Sequence, residues 1–200
     1  MAVEFVDRVV ALHDALVEFE IPHAFGGALA LAYHAVPRGT VEIDCNVFVP
    51  VALAGPVIER LGVLGIEPPP DGIDGVPPVA GLRCPWDETH VDLFTSYDHA
   101  FFGSVERRIE RHAFEVSNGR LFDLPFLSAE DLCIFKVTFD RQKDWADIEA
   151  MLAEAPLDIG YVRQWLVHLR GEPIWPNIRR LEQLSEAAEA GREATGEGRR

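Results

Sequence analysis

The stretch Thr40-Val41-Glu42-Ile43-Asp44-Cys45-Asn46-Val47-Phe48-Val49 alternates apolar and polar side chains, the period-two pattern of a half-buried β-strand. Val41, Ile43, Cys45, Val47 and Val49 therefore point to one face, and Glu42, Asp44 and Asn46 to the other. Two carboxylates two residues apart on a strand stand about 7 Å from each other. A hard cation such as Mg²⁺ can be held between them, since that ion takes one or two carboxylates and completes its shell with substrate phosphates. Just upstream, His23-Ala24-Phe25 reads as a short strand, Gly26-Gly27 as a tight turn, and residues 28–35 as a helix stopped by Pro37. A glycine turn opening a helix offers backbone N–H groups and a helix N-terminus to an anion. Together these features imply a metal-dependent nucleotide site.

Outward from this core, residues 4–20 carry Phe5, Val6, Val9, Val10, Leu12, Leu16, Val17 and Phe19 at helical spacing, with Pro22 beyond, which predicts an amphipathic first helix. Residues 51–65 predict a second helical segment, with Pro56 kinking it or lying in its first turn, and residues 66–78 form a Pro/Gly-rich loop. Residues 79–85 and 89–94 read as two strands around a turn at Trp86-Asp87-Glu88. In the second of these Val91 and Leu93 oppose His90, Asp92 and Phe94, so Asp92 is a third candidate carboxylate, while His90 is read as packing. Residues 107–116 and 120–123 form a hairpin through Asn118-Gly119, giving a sheet of five or six strands. After Pro125 the pattern turns helical: 128–139 capped by Ser128 with Asp131 three residues on, then 143–154, 158–169 and 176–190. The sequence thus implies an α+β fold, a mixed or antiparallel sheet flanked by helices in residues 1–125, a C-terminal helical segment in 126–190, and a flexible tail in 191–200. There is no internal repeat.

The 200 residues suit one domain with a helical appendage. No apolar run reaches the roughly 18 residues of a membrane span, and the first residues are acidic where a signal peptide is basic, so no membrane partner is expected and the expected location is the cytoplasm. Cys45, Cys84 and Cys133 match no zinc or redox spacing and are expected as buried thiols. The net charge of −15 argues against nonspecific nucleic-acid binding, which rests on basic side chains displacing counterions.

The combination Phe25-Gly26-Gly27, Pro37-Arg38-Gly39-Thr40-Val41-Glu42-Ile43-Asp44 and Val91-Asp92-Leu93, in that order, resembles the signature of the DNA polymerase β-like nucleotidyltransferase superfamily. A further stretch, Leu127 through Lys136 and then Asp140-Arg141-Gln142-Lys143-Asp144-Trp145-Ala146-Asp147-Ile148, looks like the paired-helix motif of small bacterial nucleotidyltransferases, including the AbiEii-like toxins of toxin–antitoxin systems. The resemblance covers roughly residues 20–152. It implies an enzyme that moves a nucleoside monophosphate from an NTP, ATP among them, onto an acceptor hydroxyl, with Mg²⁺ or Mn²⁺ as cofactor. By residue, it implies Glu42, Asp44 and Asp92 as metal ligands and, with Lys136, as the catalytic set. Gly26, Gly27, Arg38, Thr40, Lys136, Asp144 and Asp147 are the implied nucleotide-binding group, Asp144 or Asp147 orienting basic side chains or a metal. The toxin likeness implies tRNA 3′ ends as acceptor and an antitoxin protein as partner.

The chain departs from the superfamily pattern at Glu42, where Asp is usual, and the extra methylene moves that carboxylate by about 1.5 Å. The Gly27–Glu42 spacing is also slightly long. Read singly, each feature has a plainer account: Gly26-Gly27 as a turn, Glu42 and Asp44 as a solvated strand face, Asp92 as an edge-strand charge, Lys136 as a snorkelling side chain, Asp144 and Asp147 as helix-start acids, and Thr40 as a strand-start threonine. Two other functions fit the same residues: an antibiotic-modifying nucleotidyltransferase acting on a small hydroxylated, cationic acceptor such as an aminoglycoside, and a noncatalytic module that binds NTP or a partner protein.

Overall fold

The computed structural model describes residues 4–73 and 81–195. It is an α+β protein with a mixed six-stranded sheet, strand order β3-β4-β2-β1-β6-β5, and eight α-helices among the described residues. The chain divides into two compact units. One comprises the residues up to Leu29 with Gly39–Leu127, the other Ala30–Arg38 and the residues from Ser128 onward.

The first unit holds the sheet. After α1 (Phe5–Glu18), β1 (His23–Phe25) enters the sheet and the chain turns at Gly26 into α2 (Gly27–His34). The long strand β2 (Glu42–Pro50) then pairs antiparallel with β1 and parallel with β4 (Thr89–Ser96), and β3 (Leu82–Trp86) lies antiparallel at the edge beyond β4. On the other side β6 (Leu121–Phe126) runs parallel to β1 and carries β5 (Glu110–Glu115) as the second edge. The alternation predicted for β2 holds in part: Ile43, Cys45 and Val47 and their register partners Val91, Leu93 and Thr95 are buried, while Glu42, Asp44, His90 and Asp92 are half-buried on the opposite face, but Asn46 is buried and Val41 is exposed just before the strand. Alternation of this kind fixes the register, because a slip by one residue would place both carboxylates in the core.

Several boundaries differ from expectation for identifiable reasons. The predicted helix at 51–65 is a 3₁₀ turn, then α3 (Ala54–Leu61), then a second 3₁₀ turn that ends at Gly65 with φ +82°. Pro56 lies in the first turn of α3, where its missing N–H costs nothing. A helix absent from the sequence reading, α4 (His99–Arg107), follows β4; Asp98 caps it by accepting from Phe101 N–H, and Phe101, Phe102 and Val105 form its buried face. β5 accordingly begins at Glu110 rather than 107. β6 runs on through Pro125, opposite Arg111, where the sequence reading had placed the end of the strand at Asp123. The expected strand at 79–85 is β3 from Leu82, its first two residues lying outside the described residues, as do 74–78 of the expected 66–78 loop.

The second unit contains the rest of α2 and four helices, α5 (Ala129–Phe139), α6 (Gln142–Glu154), α7 (Ile159–Arg170) and α8 (Trp175–Thr195). Leu132, Ile134, Val137, Ile148, Met151, Val162, Leu166, Ile178 and Leu181 form its core. Ser128 caps α5 as predicted, accepting from Asp131 N–H and donating its hydroxyl to the Asp131 carboxylate at 2.7 Å. Sequence placed the last helix at 176–190 and a frayed tail after it. The helix instead continues to Thr195, its polar composition being compatible with a helix that is solvated on most of its surface.

Candidate active site

Gly27 has φ +52°, a conformation in which side chains other than glycine are strained. A Cβ there would stand 1.7 Å from Asp44 Oδ2, so the Asp44 carboxylate lies against the bare Cα. Gly26 N–H donates to the Asp44 carbonyl at 2.9 Å. The turn after β1 and the second acid of β2 are thus one packed feature, joined through backbone and side chain. Thr40 acts locally: its hydroxyl and the Glu42 backbone N–H and carbonyl approach at 3.1 Å, a side-chain turn that sets the entry of β2.

The parallel register places Asp44 opposite Asp92 and Glu42 opposite His90, and the antiparallel edge places Arg83 opposite Asp92. Arg83 holds Asp92 with a fork, Nε–H to Oδ1 at 2.9 Å and Nη2–H to Oδ2 at 2.7 Å, and the same Nη2 lies 3.5 Å from Glu42 Oε1. Bidentate guanidinium–carboxylate pairs of this kind are the strongest ordinary side-chain hydrogen bonds. His90 Nε2 is 3.4 Å from Glu42 Oε1, yet it makes no hydrogen bond of good geometry and is shielded from solvent. One ligand atom from each of Glu42, His90 and Asp92 lies within 4.8 Å of the other two. Donors on opposite sides of one divalent ion stand about 4.2 Å apart, so small side-chain rotations would let this oxygen–nitrogen–oxygen set hold a divalent cation, with the Arg83 guanidinium now lying against two of its three donors. Asp44 shares the face and the register but is turned toward Gly27. Arg83 is not among the residues named from sequence, and His90, read there as packing, joins Glu42 and Asp92 in the cluster. The one signal for Arg83 is a cation between Leu82 and Cys84 on a predicted strand, and its partner is fixed only by the β3–β4 register.

In the second unit Asp147 accepts from Arg38 Nε and Nη2, both at 2.9 Å, and from Lys136 Nζ at 2.6 Å. Lys136 and Asp147 are buried, with side chains 4% and 7% exposed. Burial pushes the Asp147 carboxyl up, but the hydrogen bonds from Arg38 and Lys136 outweigh it and hold the group below its ordinary value. Asp144 serves another cation: it accepts from Arg141 backbone N–H at 3.2 Å and from Arg141 Nε at 2.7 Å, closing a capping box at the start of α6. Both acids therefore orient basic side chains. This unit also carries an open pocket of about 320 Å³ lined by Tyr33, His34, Val36, Met151, Glu154 and Leu157 among others, none of them a residue singled out from sequence.

The three cysteines are free and buried. Burial pushes the Cys84 and Cys133 thiols up to about 12, and Cys45 higher still, so none is a nucleophile at neutral pH. No helix among the described residues is long and apolar enough to cross a membrane.

No protein-family model and no curated protein matches the sequence. Among solved structures the chain is similar to the antibiotic-resistance factor ANT(2'')-Ia in solution, with 16% identity, 96% of this chain and 95% of that chain covered, and a TM-score of 0.45. It is similar to a crystal structure of ANT(2'')-Ia in complex with adenylyl-2''-tobramycin, with 17% identity, 92% and 97% covered, and a TM-score of 0.47. A third likeness is to an antigenic nucleotidyltransferase-like protein from Paracoccidioides brasiliensis, with 15% identity, 88% and 92% covered, and a TM-score of 0.49.

Proposed function

We propose that the protein is a metal-dependent nucleotidyltransferase that moves a nucleoside monophosphate from an NTP to an acceptor hydroxyl. The observation that carries this reading is the joint placement of the Gly26-Gly27 turn and three acids. Asp44 lies against Gly27 and in register with Asp92, and Glu42 shares their sheet face. An ordinary solvated strand face needs no glycine at positive φ packed on one of its carboxylates.

In the reaction the acceptor oxygen bonds to the α-phosphorus, the bond from that phosphorus to the bridging oxygen breaks, and pyrophosphate leaves with the electron pair. A bound Mg²⁺ or Mn²⁺ supplies charge stabilisation to the attacking and leaving oxygens. Glu42 and Asp92 are the carboxylates best placed to hold it, Asp44 completes the acidic face, and Asp92 takes the proton of the acceptor hydroxyl. The backbone N–H groups at the start of α2 serve the triphosphate. Within the second unit, Asp147 fixes Arg38, the more open of its two cations, and Lys136, the side chains that the resemblance assigns to the nucleotide.

For the acceptor, the toxin-like motif around Lys136 and Asp147 favours a tRNA 3′ end, which would make the protein a toxin with an antitoxin partner. A second reading, a small cationic hydroxylated acceptor of the aminoglycoside kind, is favoured by the net charge of −15, which repels RNA and attracts polycations. The test is incubation with Mg²⁺ or Mn²⁺ and each α-labelled NTP, with total tRNA or with a panel of aminoglycosides, beside an Asp44→Asn control. Label on tRNA that is lost in the variant supports the first acceptor, and label on an aminoglycoside the second. Absence of both transfer and pyrophosphate release would overturn the enzymatic reading in favour of a binding module.

A further inference from the structure

Arg83 is positioned unlike a surface ion pair added to a finished sheet. It sits on the edge strand β3, opposite Asp92, with its side chain 59% exposed. Its guanidinium bonds both oxygens of Asp92, at 2.9 and 2.7 Å, and reaches Glu42 Oε1 at 3.5 Å. Glu42 and Asp92 are also two of the three donors that come within 4.8 Å of one another, the third being His90. Two carboxylates at that separation repel, and the guanidinium offsets the repulsion. A divalent ion among the same three donors would meet a positive charge held at 2.7–2.9 Å from Asp92 and 3.5 Å from Glu42. Arginine and ion therefore compete for one set of oxygens. Because Arg83 is half-exposed at a sheet edge, it can rotate away without disturbing the core, and a released guanidinium is the side chain best suited to bidentate phosphate binding.

We propose that Arg83 is a stand-in cation for the Glu42–His90–Asp92 site, displaced when a divalent ion binds and thereby freed to bind the polyphosphate that accompanies the ion. This inference rests on the nucleotidyltransferase reading. It makes metal and nucleotide binding cooperative: the ion alone must displace the arginine, whereas ion and nucleotide together offer the arginine a new anionic partner.

The test measures Mn²⁺ binding by calorimetry and by electron paramagnetic resonance of the free ion, without nucleotide, for the wild-type protein, Arg83→Gln, Arg83→Lys and Asp92→Asn. Arg83→Gln is expected to bind Mn²⁺ about tenfold more tightly, the equivalent of one charge-assisted hydrogen bond removed from competition. Arg83→Lys, which keeps the charge but loses the fork, should fall between, and it reads the same competition if the glutamine variant does not fold. Asp92→Asn should bind the ion weakly. With saturating Mn²⁺, Arg83→Gln should bind a nonhydrolysable NTP analogue about tenfold less tightly than the wild type, a loss that a merely structural arginine would not produce. Mn²⁺ binding that is not tightened in Arg83→Gln or Arg83→Lys, while Asp92→Asn still weakens it, would overturn the role of Arg83 and leave the proposed function standing. Unchanged analogue binding would overturn the release step. Failure of every variant and of the wild type to bind Mn²⁺ would overturn both this inference and the metal-dependent reading.

Discussion

Gly27 tolerates no side chain on two separate grounds, a φ of +52° and a carboxylate oxygen 1.7 Å from any Cβ. Gly26 is more permissive, its Cβ meeting Asn46 Nδ2 at 3.0 Å and Leu127 Cδ1 at 3.2 Å. Gly27→Ala is therefore expected to displace Asp44, abolish measurable transfer and lower stability by roughly 2 kcal/mol, whereas Gly26→Ala should keep the fold with a smaller loss. Urea unfolding and the labelled-NTP assay together check both. Asp147 is the second single residue on which much depends. Asp147→Asn leaves the buried Lys136 ammonium without its counter-charge, which should cost about 3 kcal/mol. Adding Lys136→Met should recover a large part of that loss, and a double-mutant cycle in urea that showed simple additivity would count against the pair. Glu42 and Asp44 are legible as neighbours because alternation along β2 announces their shared face, and Asp92 is legible as a polar-face residue of its own strand, β4, but its place opposite Asp44 comes from the register. His90 shares the alternating face of Asp92 on β4 and is read from sequence as packing, whereas its approach to Glu42 and the pairing of Arg83 with Asp92 come from pairing between strands, which local pattern does not give. Lys136 and Asp147 were found by motif, but their mutual engagement at 2.6 Å is a tertiary fact.

At the scale of elements, α1 and β1 share a histidine pair, His23 buried and His13 half-buried, whose chemistry sets a pH limit on stability. His13 Nδ1 and His23 Nε2 are 2.8 Å apart, and His23 Nδ1 lies 2.9 Å from the Ile21 carbonyl. With Nδ1–H of His23 donated to that carbonyl, Nε2 is left to accept from His13, an arrangement only a neutral His23 can make. Burial, opposed by the Ile21 hydrogen bond and aided by smaller contributions from His13 and Arg111, pushes His23 down from 6.5 to about 4, and burial also lowers His13 against the opposing charges of Asp14 and Asp123. The sign follows from where protons bind. Above pH 6.5 His23 is neutral whether the chain is folded or not; as pH falls toward 4, the unfolded chain takes up a proton that the folded one refuses, so stability declines across that window. The shift corresponds to about 3 kcal/mol. Urea midpoints measured from pH 7 to 4.5 should fall more steeply for the wild type than for His23→Phe, and parallel profiles would dispose of the idea. Other elements differed in how far sequence revealed them. β1, β2 and α5 carry clear alternation, a glycine turn and a serine cap. α4 is not marked out by sequence even though Asp98, Phe101, Phe102 and Val105 hold an N-cap and a buried stripe, because its nine residues from His99 to Arg107 fill the short gap between the strand patterns ending at Phe94 and beginning at Arg107, too brief for a clear helical period.

At the scale of the whole molecule, the two compact units recruit distant pieces of chain, with Ala30–Arg38 grouped with the residues from Ser128 onward. No composition shift marks that exchange, which is why a linear division of the sequence does not reproduce it. Net charge, by contrast, is fully legible, and it separates the two acceptor readings by the sign of a salt effect. A protein of charge −15 surrounds its acidic sheet face with a negative potential that extends about one Debye length, roughly 10 Å at 0.1 M ionic strength and about 3 Å at 1 M. A polycationic acceptor is drawn in by that potential, so raising the salt from 0.05 to about 0.3 M should raise its KM several-fold and leave kcat nearly unchanged, because screening weakens encounter more than chemistry. An RNA acceptor is repelled by the same potential everywhere except at a local basic patch. For RNA, added salt removes repulsion and phosphate contacts together, and with so large an excess of negative charge the repulsion is the greater quantity. Its KM should then stay level or fall over the same range, in contrast to the steep weakening of a basic nucleic-acid-binding protein. The measurement is initial rate against ionic strength for both acceptors in one buffer at fixed Mg²⁺. A cationic acceptor insensitive to salt would mean that recognition does not use the global charge, and an RNA acceptor whose KM rises steeply would require a concentrated basic surface that outweighs the acidity of the rest of the chain.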